Sequence, residues 1–383
     1  MERRRDCGAV GQFEFSGAPL LYTYEEILVK AGLFTASGKP LELTDLPDPV
    51  PGPGELVVRV LATPILSYMH EVLDGTRNYP LLLPLVPGCG AVASVEQTGP
   101  DATRLSKGQL VFCDPSVRSR DDVLAPDVML QGLIAPGPGA QRLQTHFRHG
   151  AFAERMLLPL ENAAALSGFA PEDAPKLTWL NTLLVPYGGL LAAGLEPGQT
   201  IIVNGASGHF GSAGVAVALA MGAERVVATG RKRDVLQSLI DRLGPRVCPV
   251  VLTGEEAADI EMLKRAAGRP ADCMLDMLSP VRTFTPVRTA IMAVRSGGTA
   301  VLMGGVQADI AIPYGHVMMN SITIRGQFMY PRHAPGQLAG LIRARLLSLD
   351  PFNVRCFPLE QLNEAVQYAA EHGGPFEQAV LTP

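Results

Sequence analysis

Residues 199–233 read QTIIVNGASGHFGSAGVAVALAMGAERVVATGRKR, and this stretch decides the fold. TIIVN is an apolar, β-branched run of strand length. GASGHFG turns sharply, SAGVAVALAMG is a helix of small residues, and RVVATG is a second apolar strand. Strand, glycine turn, helix and strand make a βαβ unit. Gly205, Gly208 and Gly211 stand at the first, fourth and seventh positions of GASGHFG. Without Cβ atoms they let the backbone approach a pyrophosphate, whose charge the free amides of the helix start stabilise. We assign Gly205, Ser207, Gly208, His209, Phe210 and Gly211 to a dinucleotide, with His209 on the pyrophosphate rather than in catalysis. A tight turn kept only for helix–strand packing is the alternative.

About 20 residues beyond such a loop, sites that prefer NAD carry a carboxylate for the adenosine ribose. Here the second strand ends in Gly230-Arg231-Lys232-Arg233. Losing the acid and gaining guanidinium groups suits a 2′-phosphate, which Arg grips through two parallel charge-assisted bonds. The competing reading, a solvated basic helix start, is unfavourable at the positive end of a helix dipole. The expected cofactor is therefore NADPH, held by Gly230, Arg231 and Lys232, with Arg231 foremost.

Downstream the alternation continues: helix RDVLQSLIDRLG, strand CPVVLT, helix DIEMLKRAAG, strand DCMLDML, helix RTFTPVRTAIMAVRSGG, then strands TAVLMGG and SITIRGQFM. Continuous apolar strands between helices predict a parallel, doubly wound sheet covered on both faces. Asp276, Met303, Gly304 and Gly305 end strands of that sheet, where the cofactor edge lies; strand-end packing is the alternative. Upstream, from about Val29 to residue 175, short strands alternate with Pro/Gly turns (LVVRVLA, GAVASVEQTG, GQLVFCD, GAFAERMLLP), giving a mostly β lobe. The tail (helix QLAGLIRARLLSL, strand FNVRCFPL, helix EQLNEAVQYAAEHG, strand FEQAVL) is expected to rejoin it. The expected division is residues 29–175 with 335–383 as one domain and 176–334 as the other. Residues 1–28 form an extension, either a gene-start artefact or a native segment.

Composition excludes other classes. At 383 residues the chain exceeds one ordinary core and suits two. A net charge of -5 offers no field for a polyanion, so nucleic acid is not an expected partner. The 40 glycines and 32 prolines form no tract and act as turn punctuation. The six cysteines lie far apart with no CxxC pair, which fits a reducing cytoplasm better than a disulfide framework. Apolar runs are broken too soon to span a bilayer, and no signal-peptide core follows the basic N-terminus, so neither membrane nor secretion is expected.

From Val29 to Pro383 the chain resembles the medium-chain dehydrogenase/reductase superfamily. The resemblance rests on LPDPVPGPGELVVRV, VLDGTRNYPLLLPLVPGCGAVASV, LEPGQTIIVNGASGHFGSAGVAVALAMGA and FPLEQLNEAVQYAAEHGGPFEQAVLTP. It implies an α/β architecture: a GroES-like, mostly β catalytic domain interrupted by a doubly wound Rossmann domain, with a small-molecule substrate in the cleft between them. A homo-oligomer is expected. Quinone-oxidoreductase-like members share the GASG-type loop. Zinc-using members place ligands where this chain has Leu66, Cys89 and, nearby, Asn181, with an acid at the position of Gly90. Only Cys89 could bind zinc, which needs three or four N, S or carboxylate ligands. The four-cysteine lobe is also missing, because residues 113–147 hold one cysteine. No metal is expected.

Without a Lewis acid, an oxyanion formed by hydride transfer must be stabilised by hydrogen bonds or a proton. The resemblance puts Tyr68 where zinc enzymes carry the hydroxyl of a proton relay, with His70 and Glu71 toward its solvent end. Tyr68 is the candidate donor and His70 the candidate proton supply; a pocket-lining tyrosine and a surface histidine are the alternatives. His146, His149, His316 and His333 read as structural or solvated. The implied activity is a zinc-independent NADPH reductase of carbonyls or activated alkenes. A non-catalytic NADPH-binding sensor or structural protein on the same scaffold is the alternative.

Overall fold

The computed structural model describes residues 28–383; apart from Leu28, the extension assigned to residues 1–28 lies outside them. Six parallel strands form one sheet, ordered Val247–Val251, Arg225–Gly230, Thr200–Asn204, Ala271–Asp276, Val294–Leu302, Thr323–Gly326. The strand that opens the glycine loop is central: Ile202 faces Val227 on one side and Met274 on the other. Successive strands are added to one side of this strand and then to the other, and that change of side creates the crevice at the strand ends where α/β sheets bind ligands. Helices cover both faces, so Ile201, Ile202 and Val203 are fully buried and need no polar alternation.

The end of one helix differs from the sequence expectation. Residues 294–298, read as the end of a helix, instead begin the strand Val294–Leu302, and the helix stops at Met292. Val294 pairs with Ala271, and Gly297, at φ +72°, supplies a left-handed turn that no helix continues through. The long apolar segment Trp179–Ala193 forms a helix despite Pro186 and packs against the helix His209–Ala220.

The second sheet runs Asn353–Pro358, Glu377–Thr382, Glu55–Ile65, Ala91–Thr98, Leu110–Cys113, Ala163–Ala165, with Arg155–Pro159 also paired to Glu55–Ile65. The chain's last strand therefore lies beside one of its first, with Leu381 opposite Thr63. A helical strand-to-strand crossover, Leu362–His372, lies between the two parallel C-terminal strands. The largest apolar core is shared by the two sheets, running from Ala62, Val92 and Phe112 to Ile201, Val203 and Leu275, and a second cluster around Leu66 and Phe152 belongs to the β lobe. Phe210, at the start of the glycine-loop helix, and Met329, after the last parallel strand, pack against both, and so mark the seam.

Candidate active site

Gly205 leaves the central strand at φ +79°, a left-handed conformation that a side chain disfavours, and its amide bonds Thr229 Oγ1 at 3.2 Å. A Cβ on Gly211 would lie 2.1 Å from the Gly205 carbonyl oxygen, so that glycine lets the helix sit directly on the strand end. The helix His209–Ala220 starts with no side-chain cap, and its first-turn amides are left for an outside acceptor. Gly208 is exposed at this opening and Ser207 is half-buried.

Beneath the loop lies a buried polar chain. Thr229 Oγ1 donates to Asn204 Oδ1 at 2.8 Å, and Asn204 Nδ2 donates to Asp276 Oδ1 at 2.8 Å. Burial pushes the Asp276 carboxyl up to about 6, although bonds from Asn204 and from the amides of Leu278 and Gly304 oppose that rise. A Cβ on Gly304 would lie 2.2 Å from Asp276 Oδ2, and the Gly305 amide bonds the Leu278 carbonyl at 2.7 Å. Residues 276–278 and 303–305 thus lie side by side at the strand ends. Met303 instead packs inward, its sulfur 2.5 Å from where a Gly189 Cβ would stand.

A Cβ on Gly230 would meet Ser207 Oγ at 2.7 Å, which ties the end of the second strand to the glycine loop. Arg231, Lys232 and Arg233 follow, all exposed, and none takes part in a salt bridge among the described residues. His209 requires a correction at its side chain. The ring faces inward, with Nδ1 2.9 Å from the Gly374 carbonyl and Nε2 3.0 Å from Thr182 Oγ1, and lies 5.1 Å from the Trp179 ring. Both nitrogens are engaged, and burial lowers the basicity of the ring. Only the His209 backbone amide remains for a phosphate. Phe210 packs at the seam between the lobes.

In the β lobe, Tyr68 precedes the short helix Met69–Asp74 and is half-buried beside Leu66 and Cys89 in one apolar cluster. The Arg77 guanidinium stacks over its ring at 4.0 Å, and Tyr79 meets it edge-on at 6.5 Å. Burial holds the phenol well above its ordinary pKa, reinforced by Tyr79 and Cys89, while Arg77 acts in the opposite sense. The phenol is therefore a protonated donor at neutral pH. His70 is exposed, its Nδ1 3.2 Å from the Ser67 carbonyl. His149 accepts from the Val86 amide at 3.1 Å and His146 pairs with Glu55, both structural roles.

Leu66, Cys89 and Asn181 are all buried. Among the described residues no group of three or more His, Cys, Asp or Glu side chains could hold a metal ion. The thiol of Cys89 is pushed up by burial and by Asp114. The donor set at this place thus does not fit a tetrahedral zinc. Asp114, which no sequence motif marks, accepts from Tyr330 Oη at 2.9 Å, and burial raises its carboxyl above the usual carboxylate range against the Ser116 amide, Arg118 and Tyr330. It joins the β lobe to the segment after the last parallel strand. A cavity of about 480 Å³ opens between the helix Trp179–Ala193 and that segment, lined by Arg118, Leu191, Arg325, Gln327 and Tyr330. It is not at the glycine loop.

Residues 52–168 match the family model for the alcohol dehydrogenase GroES-like domain, and residues 210–344 match that for zinc-binding dehydrogenase. The chain is 26% identical over 338 residues to the sorbitol dehydrogenase of Macaca fascicularis, spanning 85% of this chain and 89% of that one. It is 26% identical over 295 residues to an alcohol dehydrogenase of Rhizobium meliloti, spanning 77% and 82%. A thermostable alcohol dehydrogenase from Pyrobaculum aerophilum superposes with a TM-score of 0.71 at 20% identity, covering 93% of this chain and 100% of that one. A protein from Sinorhizobium meliloti bound to NADP gives a TM-score of 0.76 at 18% identity, covering 93% and 100%. The class is a GroES-like lobe joined to a nicotinamide-dinucleotide-binding Rossmann lobe. The chain belongs to the medium-chain, zinc-type alcohol dehydrogenase-like superfamily of oxidoreductases.

Proposed function

We propose that this chain is an NADPH-dependent, zinc-independent reductase of a carbonyl or activated alkene in a small apolar molecule such as a ketone, enone or quinone. The observation that carries the cofactor choice is the contact of Gly230 with Ser207. It sets Arg231 and Lys232, with no acid between, beside the loop that would cradle the pyrophosphate. Gly205, Gly208 and the amides of His209, Phe210 and Gly211 would hold the phosphates, and the edge of Gly304 and Gly305 would flank the nicotinamide half. A bound reduced nicotinamide supplies the hydride. Tyr68 supplies a proton or hydrogen bond to the substrate oxygen, and His70 links that region to solvent. Leu66, where the resemblance puts a metal ligand, adds an apolar side chain to the cluster beside Tyr68, which supports an apolar substrate.

The test is purified protein with NADPH or NADH and a panel of quinones, enones and ketones, with sorbitol and NAD or NADP as a further arm because the relatives are sorbitol dehydrogenases. Acceptor-dependent NADPH oxidation supports the reading. NADPH binding with no turnover on any acceptor replaces it with the non-catalytic alternative. Self-association is part of the proposal: Thr323–Gly326 is an exposed sheet edge, with Tyr314, Met318, Met319 and Phe328 exposed nearby. Light scattering that gives a monomer mass at micromolar concentration removes that part.

A further inference from the structure

Asn181 occupies the first turn of the helix Trp179–Ala193 and is only 5% exposed. Its backbone amide bonds the Thr178 carbonyl at 3.0 Å, but among the described residues its carboxamide has no hydrogen-bond partner. Neither carboxamide atom is among the polar atoms sealed from solvent without a partner, so the small exposed fraction of the residue is at its polar end. A nearly buried side chain whose polar end reaches solvent and has no partner within the chain is free to bond a molecule from outside it.

The room for it is specific. A Cβ on Gly90 would lie 2.5 Å from Asn181 Oδ1 and 3.4 Å from Pro115 Cδ. Gly90, held at φ +82° with its carbonyl accepting from Thr63 Oγ1 at 2.8 Å, leaves the exact space that the carboxamide fills. The same turn carries Cys89, which clusters with Leu66 and Tyr68, and Phe210 of the glycine-loop helix packs against that cluster. With its oxygen against Gly90, the carboxamide has its NH2 edge turned away from that turn. The positive end of a helix lies behind it.

We propose that Asn181 is a catalytic residue whose Nδ2 donates to the substrate's carbonyl oxygen, as the neutral counterpart of a metal at this place. The inference rests on the reductase reading above. The substrate carbon gains hydride with its electron pair from the reduced nicotinamide, which departs oxidised. The oxygen takes the negative charge while bonded to Asn181, and one proton from Tyr68, replaced from solvent, completes the reduction. An oxyanion donor of this kind is worth about 10²–10³ in kcat.

The test uses Asn181→Leu, an apolar isostere, and Gly90→Ala, whose methyl would crowd Asn181 Oδ1 and also strain the turn at φ +82°. The probe is p-dimethylaminocinnamaldehyde added to the NADP complex; its absorption moves to the red when its carbonyl accepts a strong hydrogen bond. Wild type and Tyr68→Phe are both expected to give the red shift, which separates it from any bond made by the phenol, and Asn181→Leu carrying Tyr68→Phe is expected to lose it. Asn181→Leu alone is expected to lose about 10²-fold in kcat on the acceptor found by the panel, to keep its NADP affinity, and to melt no lower than wild type, because it gives up no bond within the chain. Gly90→Ala is expected to diminish the shift as well. A shift retained in the double variant, a lower melting temperature with unchanged kcat in Asn181→Leu, or no shift in NADP-bound wild type each overturns the inference. Failure of the reductase reading is distinct, because it appears in the wild type as NADPH binding with no turnover on any acceptor.

Discussion

The guanidinium of Arg77 lies 4.0 Å from the centre of the Tyr68 ring while its Nη2 pairs with Glu71 Oε2 at 2.9 Å. The phenol is thus clamped by a cation that is itself anchored to the helix following Tyr68. Such a stack contributes about 0.5–2 kcal/mol and fixes ring orientation.

Tyr68→Phe is expected to lower turnover by about 10²–10⁴-fold if the phenol donates directly, with NADPH affinity unchanged. Because the phenol titrates well above its ordinary value, no loss of rate on the alkaline side below about pH 10 should trace to it. His70→Ala should alter the pH profile more than the maximum rate. Steady-state kinetics across pH decide this, and wild-type turnover in Tyr68→Phe would assign the proton to solvent.

Arg231→Ala is expected to weaken NADPH by about 10–100-fold, since one charged hydrogen bond is worth about 1.5–3 kcal/mol, and to leave NADH nearly unchanged. Calorimetric titration with both cofactors gives the answer. Equal losses would remove the 2′-phosphate assignment.

Exhaustive chelation is expected to leave activity intact, and elemental analysis to find less than one zinc per chain, because Leu66 and Asn181 flank Cys89 where a tetrahedral site needs ligands. Stoichiometric zinc with activity lost to chelator overturns this.

The Asp276 carboxyl, at about 6 against an ordinary 3.8, keeps its proton in the folded protein over a range where the unfolded chain has lost it. Its contribution to stability is therefore full below about pH 4 and falls as pH rises through 6, by about 3 kcal/mol in total. Asp272 and Glu161 have lowered values and act in the opposite direction, so the measurement is the difference between wild type and Asp276→Asn in urea melts from pH 4 to 7. That difference should move against wild type as pH rises; a flat difference means the carboxyl is ionised throughout.

The βαβ unit, the parallel sheet and the glycine turn were legible in the order of residues alone. Those features depend on local periodicity and on backbone positions such as Gly205 and Gly211 where a side chain cannot stand. The sequence also made plain that Leu66 cannot ligate a metal, since residue chemistry alone decides that. Tertiary structure decided what depends on distant neighbours. His209 faces inward because Thr182 and Gly374, from a helix and a C-terminal turn, capture both ring nitrogens. Residues 294–298 became strand because Val294 found Ala271 to pair with. The carboxamide of Asn181 acquired its place only because Gly90, 91 positions earlier, leaves room for it, and no local pattern encodes that kind of fit.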